Sequence, residues 1–242
     1  MNKLSGIVLH SIKYGESSLI AYVYTNQLGR QTYMLRGVRT PSARHKAALV
    51  QPLFLLDIEA YPTRKMGSMA KAKELKIAYP LQSLSFDIRK NAMALFIGEV
   101  LYKLVREEEQ NENLYKFLHT HVLLLERLEE GVSNFHLYFL AHLAQHLGFF
   151  PGNEHDTFLP YFDMHQGMFV PFKPAHAMYM DKPTSTLLSE LLCCLAIDLH
   201  GIKINRGQRD VLLHQLLEYY SLHLGMKNPI RSLSVLQEIF SS

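Results

Sequence analysis

The stretch SLIAYVYTNQLGRQTYML, residues 18–35, decides the fold, because it shows the two-residue alternation of β-strands on both sides of a turn. Ser18 to Thr25 is rich in β-branched and aromatic residues, and Arg30 to Leu35 returns after the sequence Asn26-Gln27-Leu28-Gly29. Gly29 can supply the positive φ angle that such a turn often needs. The stretch therefore predicts a β-hairpin.

Three more predicted strands flank this hairpin. Leu4 to Ile12 has the pattern of a first strand, Pro52 to Tyr61 of a fourth, and Met66 to Tyr79 of a fifth, whose Ala and Lys content makes it less typical. Five short strands within about 80 residues are typical of a small closed barrel, and the five-stranded OB fold is the leading candidate. An SH3-like barrel fits the pattern nearly as well.

From residue 81 onward the apolar residues follow the helical period. The predicted helices are Asp87 to Glu109, Glu112 to Glu129, Asn134 to Leu147, Thr184 to Leu199, Gly207 to Leu224 and Leu233 to Phe240. An irregular insertion with five prolines interrupts them at about residues 149–183, where we expect an irregular loop or a small β excursion. The chain is therefore predicted to be an α+β protein, with an OB-type β-barrel domain at 1–80 and an all-helical domain at 81–242.

Charge is distributed unevenly along the chain. The 242 residues carry a formal net charge of +3, but residues 1–80 hold 12 Lys and Arg against four Asp and Glu, whereas the rest hold 13 against 18. No acidic residue lies between Glu16 and Asp57. Because a merely solvated surface usually mixes both signs, this asymmetry indicates that the barrel faces a polyanion.

The loop after the third strand, Arg36 to Lys46, is the most specific of these signals. Arginine forks match phosphate oxygens, and each neutralised phosphate releases counterions, so such a cluster favours sequence-independent binding of nucleic acid. Lys76 extends the positive charge along the fifth strand. The predicted DNA-binding residues are Arg30, Arg36, Arg39, Arg44, Lys46, Lys65, Lys71 and Lys73.

Tyrosines on the barrel strands add a second possible contact with nucleic acid. Unpaired bases could stack on Tyr14, Tyr22, Tyr24 or Tyr33. Taken singly, however, each ring fits a position in the barrel core, or a half-exposed position on a strand, better than a binding surface.

Thirteen histidines raise the question of a metal site. His142 and His146 lie four apart on one predicted helix, but the segment reads HLAQH and lacks the glutamate of the zinc protease motif. A second group surrounds the insertion, and its spacings match no zinc pattern: His155, Asp156, Asp163, His165 and His176. Packed histidines are the favoured interpretation, and no metal site is predicted.

Signatures of catalysis are missing from the sequence. It contains no GxxxxGK[ST], GxGxxG, GxSxG or CxxC motif. Cys193 and Cys194 lie in the apolar run LLCCLAI, which favours packing over reactivity or bridging. Without an apolar run of about 18 residues or a secretory signal, the chain is expected to be a cytoplasmic, non-enzymatic protein that needs no cofactor.

Four stretches together resemble the bacterial recombination mediator family RecO. They are GIVLHSIKYGESSLIAYVYTNQLGR at 6–30, RGVRTPSARHKAALVQPLFLLDIE at 36–59, Gly98-Glu99-Val100-Leu101, and LAQHLGFFP at 143–151. Their order and spacing are more specific than any one of them. The resemblance covers most of the chain.

This resemblance implies an OB domain and a helical domain that bind single- and double-stranded DNA and anneal complementary strands. It implies two partners: RecR, with which the family helps to load RecA, and the acidic C-terminal tail of the single-stranded-DNA-binding protein, which contacts the helical domain. By position, Arg36, Arg39, Arg44 and Lys46 fall in the family's DNA-contacting loop.

The sequence departs from the family at the zinc finger that many members carry. In its place it has FFPGNEHDTFLPYFDMHQGMFV, residues 149–170, without cysteine. No zinc is therefore implied, and we expect Phe158, Tyr161, Phe162 and Phe169 to hold this segment by aromatic packing. Two other functions stay open: a basic-barrel adaptor that binds an acidic peptide, and a metalloenzyme that uses the histidines.

Overall fold

The computed structural model describes residues 2–40, 43–61, 69–153, 156–226 and 228–240, without the side chains of Arg44 and His45. The chain divides into two compact units. Unit 1 comprises Met1–Glu126 and Ile230–Leu236, and unit 2 comprises Arg127–Pro229 and Gln237–Ser242.

Unit 1 contains a five-stranded antiparallel sheet. Its strands are β1 (Asn2–Tyr14), β2 (Ser18–Thr25), β3 (Gly29–Leu35), β4 (Leu55–Ala60) and β5 (Ala72–Ile77), in the order β3-β2-β1-β4-β5. A parallel bridge from Tyr33 to Ala70, with Ala70 N donating to Thr32 O at 2.8 Å, joins the two edges. The predicted OB-type barrel within an α+β chain is thus confirmed.

The barrel core follows from the strand alternation. On β2, Leu19, Ala21 and Val23 point inward, and they pack with residues of β1, β3 and β4 that are also buried. The principal partners are Val8, Tyr33, Leu56 and Ile58.

Unit 1 also contains the helices α1 (Arg44–Ala48), α2 (Gln82–Phe86), α3 (Ile88–Leu104) and α4 (Glu112–Arg127), whose last residue belongs to unit 2. The side chain of Asp87 caps α3 by accepting from Arg89 N at 2.8 Å. The carboxylate of Glu126 caps α2, because both its oxygens accept backbone N–H groups, from Ser83 and Leu84, at 2.8 Å. Neither α1 nor α2 was predicted from the sequence, since both are only five residues long.

Unit 2 is mainly helical and includes a small sheet. Its helices are α5 (Phe135–His146), α6 (Lys182–Cys193) and α7 (Arg206–Leu224), while α8 (Ser232–Ile239) contributes residues to both units. The insertion forms β6 (Tyr161–Asp163), β7 (Met168–Val170) and β8 (Tyr179–Met180), in the order β7-β6-β8. No helix within the described ranges is long and apolar enough to cross a bilayer.

The aromatic residues of the insertion do not all pack as expected. Phe162 and Phe169 are buried and their ring centroids lie 5.1 Å apart, as predicted. Phe158, however, is 80% exposed, so its expected packing role is wrong. The domain boundary near residue 80 stays a prediction: the barrel strands end at Ile77, whereas unit 1 extends through α3 to Glu126.

Candidate nucleic-acid interface

The turn between β1 and β2 and the loop after β3 meet at one end of the barrel. Arg39 joins them, since its backbone N–H donates to Ser17 O at 2.9 Å and its Nη1 donates to Gly15 O at 3.0 Å. Gly15 has φ +58°, which allows this tight turn. The first part of the predicted basic loop, at Arg39, is therefore held against the β1–β2 turn, one of the loops that OB folds use for binding.

Three cations and one aromatic ring lie at this end, which we call the hairpin tip and define as Lys13, Tyr14, Arg36 and Arg39. Lys13 and Arg36 are exposed, Arg39 is half-buried, and Tyr14 is 50% exposed. Glu16 is the only Asp or Glu in the first 56 residues. The hairpin tip can therefore offer phosphate ligands beside a ring that is free to stack. Lys13 was not among the predicted residues, although its position next to the Tyr14-Gly15 turn was a signal.

The remaining loop residues are only partly described. Lys46 lies exposed on α1, seven residues beyond Arg39. Arg44 begins that helix, but its side chain is outside the described part, and Lys65 lies wholly outside the described residues. The DNA-binding roles of all three stay predictions.

The lysines on and beside β5 lie in a different electrostatic setting. Lys71, just before the strand, is exposed, but Lys73 pairs with Glu59 at 3.4 Å and Lys76 pairs with Glu74 at 3.0 Å. An open cavity of about 310 Å³ on this side is lined by residues of both signs: Lys3, Asp57, Glu59, Glu74 and Lys76. The β5 face is thus mixed in charge, which weakens the case for Lys71 and Lys73 as phosphate ligands.

Arg30, also predicted to bind DNA, has an intramolecular role. Its Nη1 donates to Tyr102 O at 2.9 Å and Val105 O at 3.1 Å, and its guanidinium lies 4.9 Å from the Tyr22 ring centroid and 4.6 Å from that of Tyr102. It stands at the opposite end of β3 from Arg36. This packing favours a structural role for Arg30 and leaves its contact with DNA an unsupported prediction.

Three of the four candidate stacking tyrosines are covered. Tyr24 and Tyr33 are each 1% exposed, and burial raises the pKa of both to about 12. Tyr22 packs against Tyr102, with ring centroids 4.7 Å apart. The segment after α3 covers this side of the barrel as well, because Arg30 N donates to Glu107 O at 2.9 Å. Of the four, only Tyr14 presents an open ring.

The histidines that suggested a metal site have other contacts. His142 lies 3.0 Å from Tyr138 O through Nδ1, and burial lowers its pKa. Asp163 accepts from His165 N at 2.8 Å and lies 3.2 Å from His176 Nε2. Within the part of the chain that the structure describes, no three His, Cys, Asp or Glu side chains are grouped as metal ligands. His155 falls outside that part.

Comparisons with known proteins agree along the whole length of the chain. The family model for the N-terminal part of recombination protein O matches residues 1–80, and the model for its C-terminal part matches residues 85–233. A protein of Flavobacterium johnsoniae named DNA repair protein RecO is 38% identical over 99% of both chains. Proteins of the same name from Bacteroides fragilis and Phocaeicola vulgatus are 35% and 32% identical, over 99% and 100% of both chains.

Proposed function

The chain belongs to the recombination protein O family of DNA repair proteins, and on that premise we propose that it is a recombination mediator that binds DNA at the hairpin tip. In this proposal it binds single- and double-stranded DNA and anneals complementary strands. With RecR it helps to load RecA onto DNA covered by single-stranded-DNA-binding protein. It acts in the cytoplasm, at the nucleoid, and without catalytic turnover.

One observation carries the DNA-binding part of the proposal: the barrel fold brings Lys13, Tyr14, Arg36 and Arg39 to one end with a single carboxylate, Glu16, in the surrounding sequence. Cations at this density bind a phosphate backbone by releasing its counterions, without reading the sequence. The open ring of Tyr14 adds a stacking surface that only an unpaired base can use. The hairpin tip therefore suits single-stranded DNA best and accepts duplex through its phosphates.

The mechanism that follows is one of binding and positioning. Phosphate neutralisation lowers the repulsion between two complementary strands, and stacking on Tyr14 presents bases for pairing. RecR and the acidic tail of the single-stranded-DNA-binding protein are the proposed protein partners, with the tail contacting the helical domain. Their roles rest on family membership.

The proposal can be tested with a local reporter, because the chain contains no tryptophan. In a Tyr14→Trp variant, an oligothymidine should quench the new fluorescence with an affinity that falls steeply as salt rises. Adding Lys13→Ala and Arg36→Ala should weaken binding and reduce the log–log salt slope by about 1.4, since each lost phosphate contact on a single strand contributes about 0.7.

A matched control removes the same charge elsewhere in unit 1. Lys3→Ala with Lys116→Ala should leave the slope unchanged, because Lys3 lines the mixed-charge cavity and Lys116 pairs with Glu112 at 2.6 Å. An unchanged slope in the Lys13/Arg36 variant would show that the hairpin tip does not bind DNA. Quenching by an acidic peptide but not by the oligothymidine would favour the adaptor function instead.

A further inference from the structure

The outer face of the small sheet in unit 2 carries two tyrosines and two lysines, which we call the tyrosine–lysine face: Tyr161, Lys173, Tyr179 and Lys182. The two ring centroids are 6.2 Å apart and the rings are nearly perpendicular, at 72°. The Nζ of Lys173 lies 5.4 Å from the Tyr179 ring centroid, and that of Lys182 lies 5.5 Å from the Tyr161 centroid. Rings and cations thus lie side by side on one surface.

The strand pattern explains why these rings face outward. Phe162 and Phe169 pair across β6 and β7, Phe162 and Met180 pair across β6 and β8, and all three are buried on the inner side. Side chains one residue away point to the opposite face. Tyr161 and Tyr179 therefore lie on the outer face of neighbouring strands, half-buried at their base.

The lysines of this face have no competing ion pair. Both are exposed, and within the described residues no carboxylate pairs with Lys173 or Lys182. The nearest acids have other partners. Asp181 caps α6 by accepting from Thr184 N at 3.0 Å. Asp163 lies opposite Tyr179 in the pairing of β6 with β8, but it is only 3% exposed and lies 3.2 Å from His176 Nε2. Phe172, next to Lys173, is 82% exposed and adds a third ring with open faces.

We propose that the tyrosine–lysine face is a second binding site for single-stranded nucleic acid, separate from the hairpin tip. Unpaired bases would stack on Phe172 and on the exposed parts of the tyrosine rings, and the two ammonium groups would move from the rings to phosphates. A duplex keeps its bases stacked within itself and meets only the two charges. An acidic peptide would pair with the lysines but has no series of flat groups to cover the rings.

The site can be tested by itself with a tryptophan in place of Phe172. Because the chain has no other tryptophan and the Phe172 side chain is exposed, Phe172→Trp gives a signal from this face alone. We expect a short oligothymidine added to the full chain at low salt to quench this fluorescence to saturation. A hairpin duplex with the same number of phosphates should quench it much less.

The charge contribution is tested in the same reporter background. Lys173→Glu with Lys182→Glu should weaken oligothymidine binding about tenfold or more, because it reverses both charges that face the phosphates. Lys203→Glu is a control for a single reversed charge, since Lys203 is an exposed lysine of unit 2 outside the sheet strands, and it should leave the affinity unchanged. Lys173→Gln with Lys182→Gln provides a milder variant should the reversal alter the melting temperature.

Several results would overturn the proposal: no quenching by the oligothymidine, equal quenching by the duplex, or an affinity that the lysine variants leave unchanged. Quenching by an acidic peptide alone would assign the face to a protein partner. The Lys13→Ala, Arg36→Ala variant separates this test from that of the hairpin tip, because it should leave the Phe172→Trp signal unchanged. If the hairpin tip fails its own test, the result at this face still stands.

Discussion

At the residue scale, Glu99 shows how one carboxylate can hold a helix terminus far away in sequence. It accepts from Arg231 N at 3.0 Å, from Ser232 N at 2.8 Å and from Ser232 Oγ at 2.7 Å, and so caps the start of α8. Lys103 pairs with it at 2.8 Å. Burial alone would raise the pKa of Glu99, but Lys103 and the three donors together lower it to about 2.

We predict that Glu99→Gln lowers the free energy of unfolding at pH 7 by about 2–3 kcal/mol, because the charged form is bound more tightly in the folded state. A folded pKa below the unfolded value near 4.5 stabilises the protein above pH 4.5, and the effect is lost as pH falls toward 2. Urea unfolding of both proteins at pH 7, 4 and 3 should therefore show a shrinking difference.

The control for this prediction is Glu112→Gln. Glu112 pairs with Lys116 at 2.6 Å, but both side chains are exposed, so its removal should leave the unfolding curve unchanged. A Glu99→Gln effect that stayed constant from pH 7 to pH 3 would show that the lost hydrogen-bond geometry, and not the charge, is responsible.

At the scale of elements, the hairpin in residues 18–35 was predictable but the surface that covers it was not. β2 occupies the predicted residues, and Gly29 has the expected positive φ of +57°. Gly29 also has a second, unforeseen reason to be glycine, since a Cβ there would collide with the backbone of Glu107 and Glu109. The sequence around Glu107 and Glu109 is polar and is typical of a solvated helix end, so it gave no sign that this segment covers the hairpin.

Arg30 and Arg36 were both predicted to bind DNA, although Arg30 packs against the end of α3. Both stand at the ends of β3 in a stretch without acidic residues, so local sequence could not distinguish them. The partners of Arg30, the carbonyls of Tyr102 and Val105, lie 72 and 75 residues further along the chain. Its contact could be found only once α3 was placed against the sheet.

We predict opposite phenotypes for these two arginines. Arg30→Ala should lower the free energy of unfolding by about 2–3 kcal/mol, because it leaves two carbonyls without their charged donor and removes a cation that packs against two rings. Arg36→Ala should leave stability nearly unchanged but reduce the salt slope of oligothymidine binding by about 0.7. Thermal melts and salt titrations of both variants test this, and a reduced slope in a stably folded Arg30→Ala protein would restore Arg30 as a DNA ligand.

At the scale of the whole molecule, composition predicted a polyanion partner, but it could not show which of the basic residues in the first 80 are offset by nearby carboxylates. Of the 12 basic residues in the first 80, the two lysines on β5 are offset by carboxylates: Glu74 is two residues from Lys76 on the same strand, and Glu59 approaches Lys73 only in the folded sheet. The segment 149–183 looked irregular because its strands are two or three residues long, too short for a period to show. For the same reason, the tyrosine–lysine face could not be predicted from the sequence.

The two proposed surfaces, one in each unit, lead to a last prediction about strand annealing. A protein that holds one strand at the hairpin tip and another at the tyrosine–lysine face raises the local concentration of each strand for the other, so losing either surface should remove most of the effect. With complementary oligonucleotides carrying a fluorophore and a quencher, both the Lys13→Ala, Arg36→Ala variant and the Lys173→Glu, Lys182→Glu variant should anneal about tenfold more slowly than the native chain.

Combining the four substitutions should slow annealing little further, because each pair already breaks the complex of the protein with both strands. The Lys203→Glu variant should anneal at the native rate. If the two pairs instead multiply their effects, the two surfaces contribute to annealing independently, and no complex that holds both strands at once is required. If the lysine pair abolishes quenching in the Phe172→Trp reporter but leaves annealing intact, the second strand is held elsewhere. The tyrosine–lysine face would then bind single strands for a purpose other than pairing them.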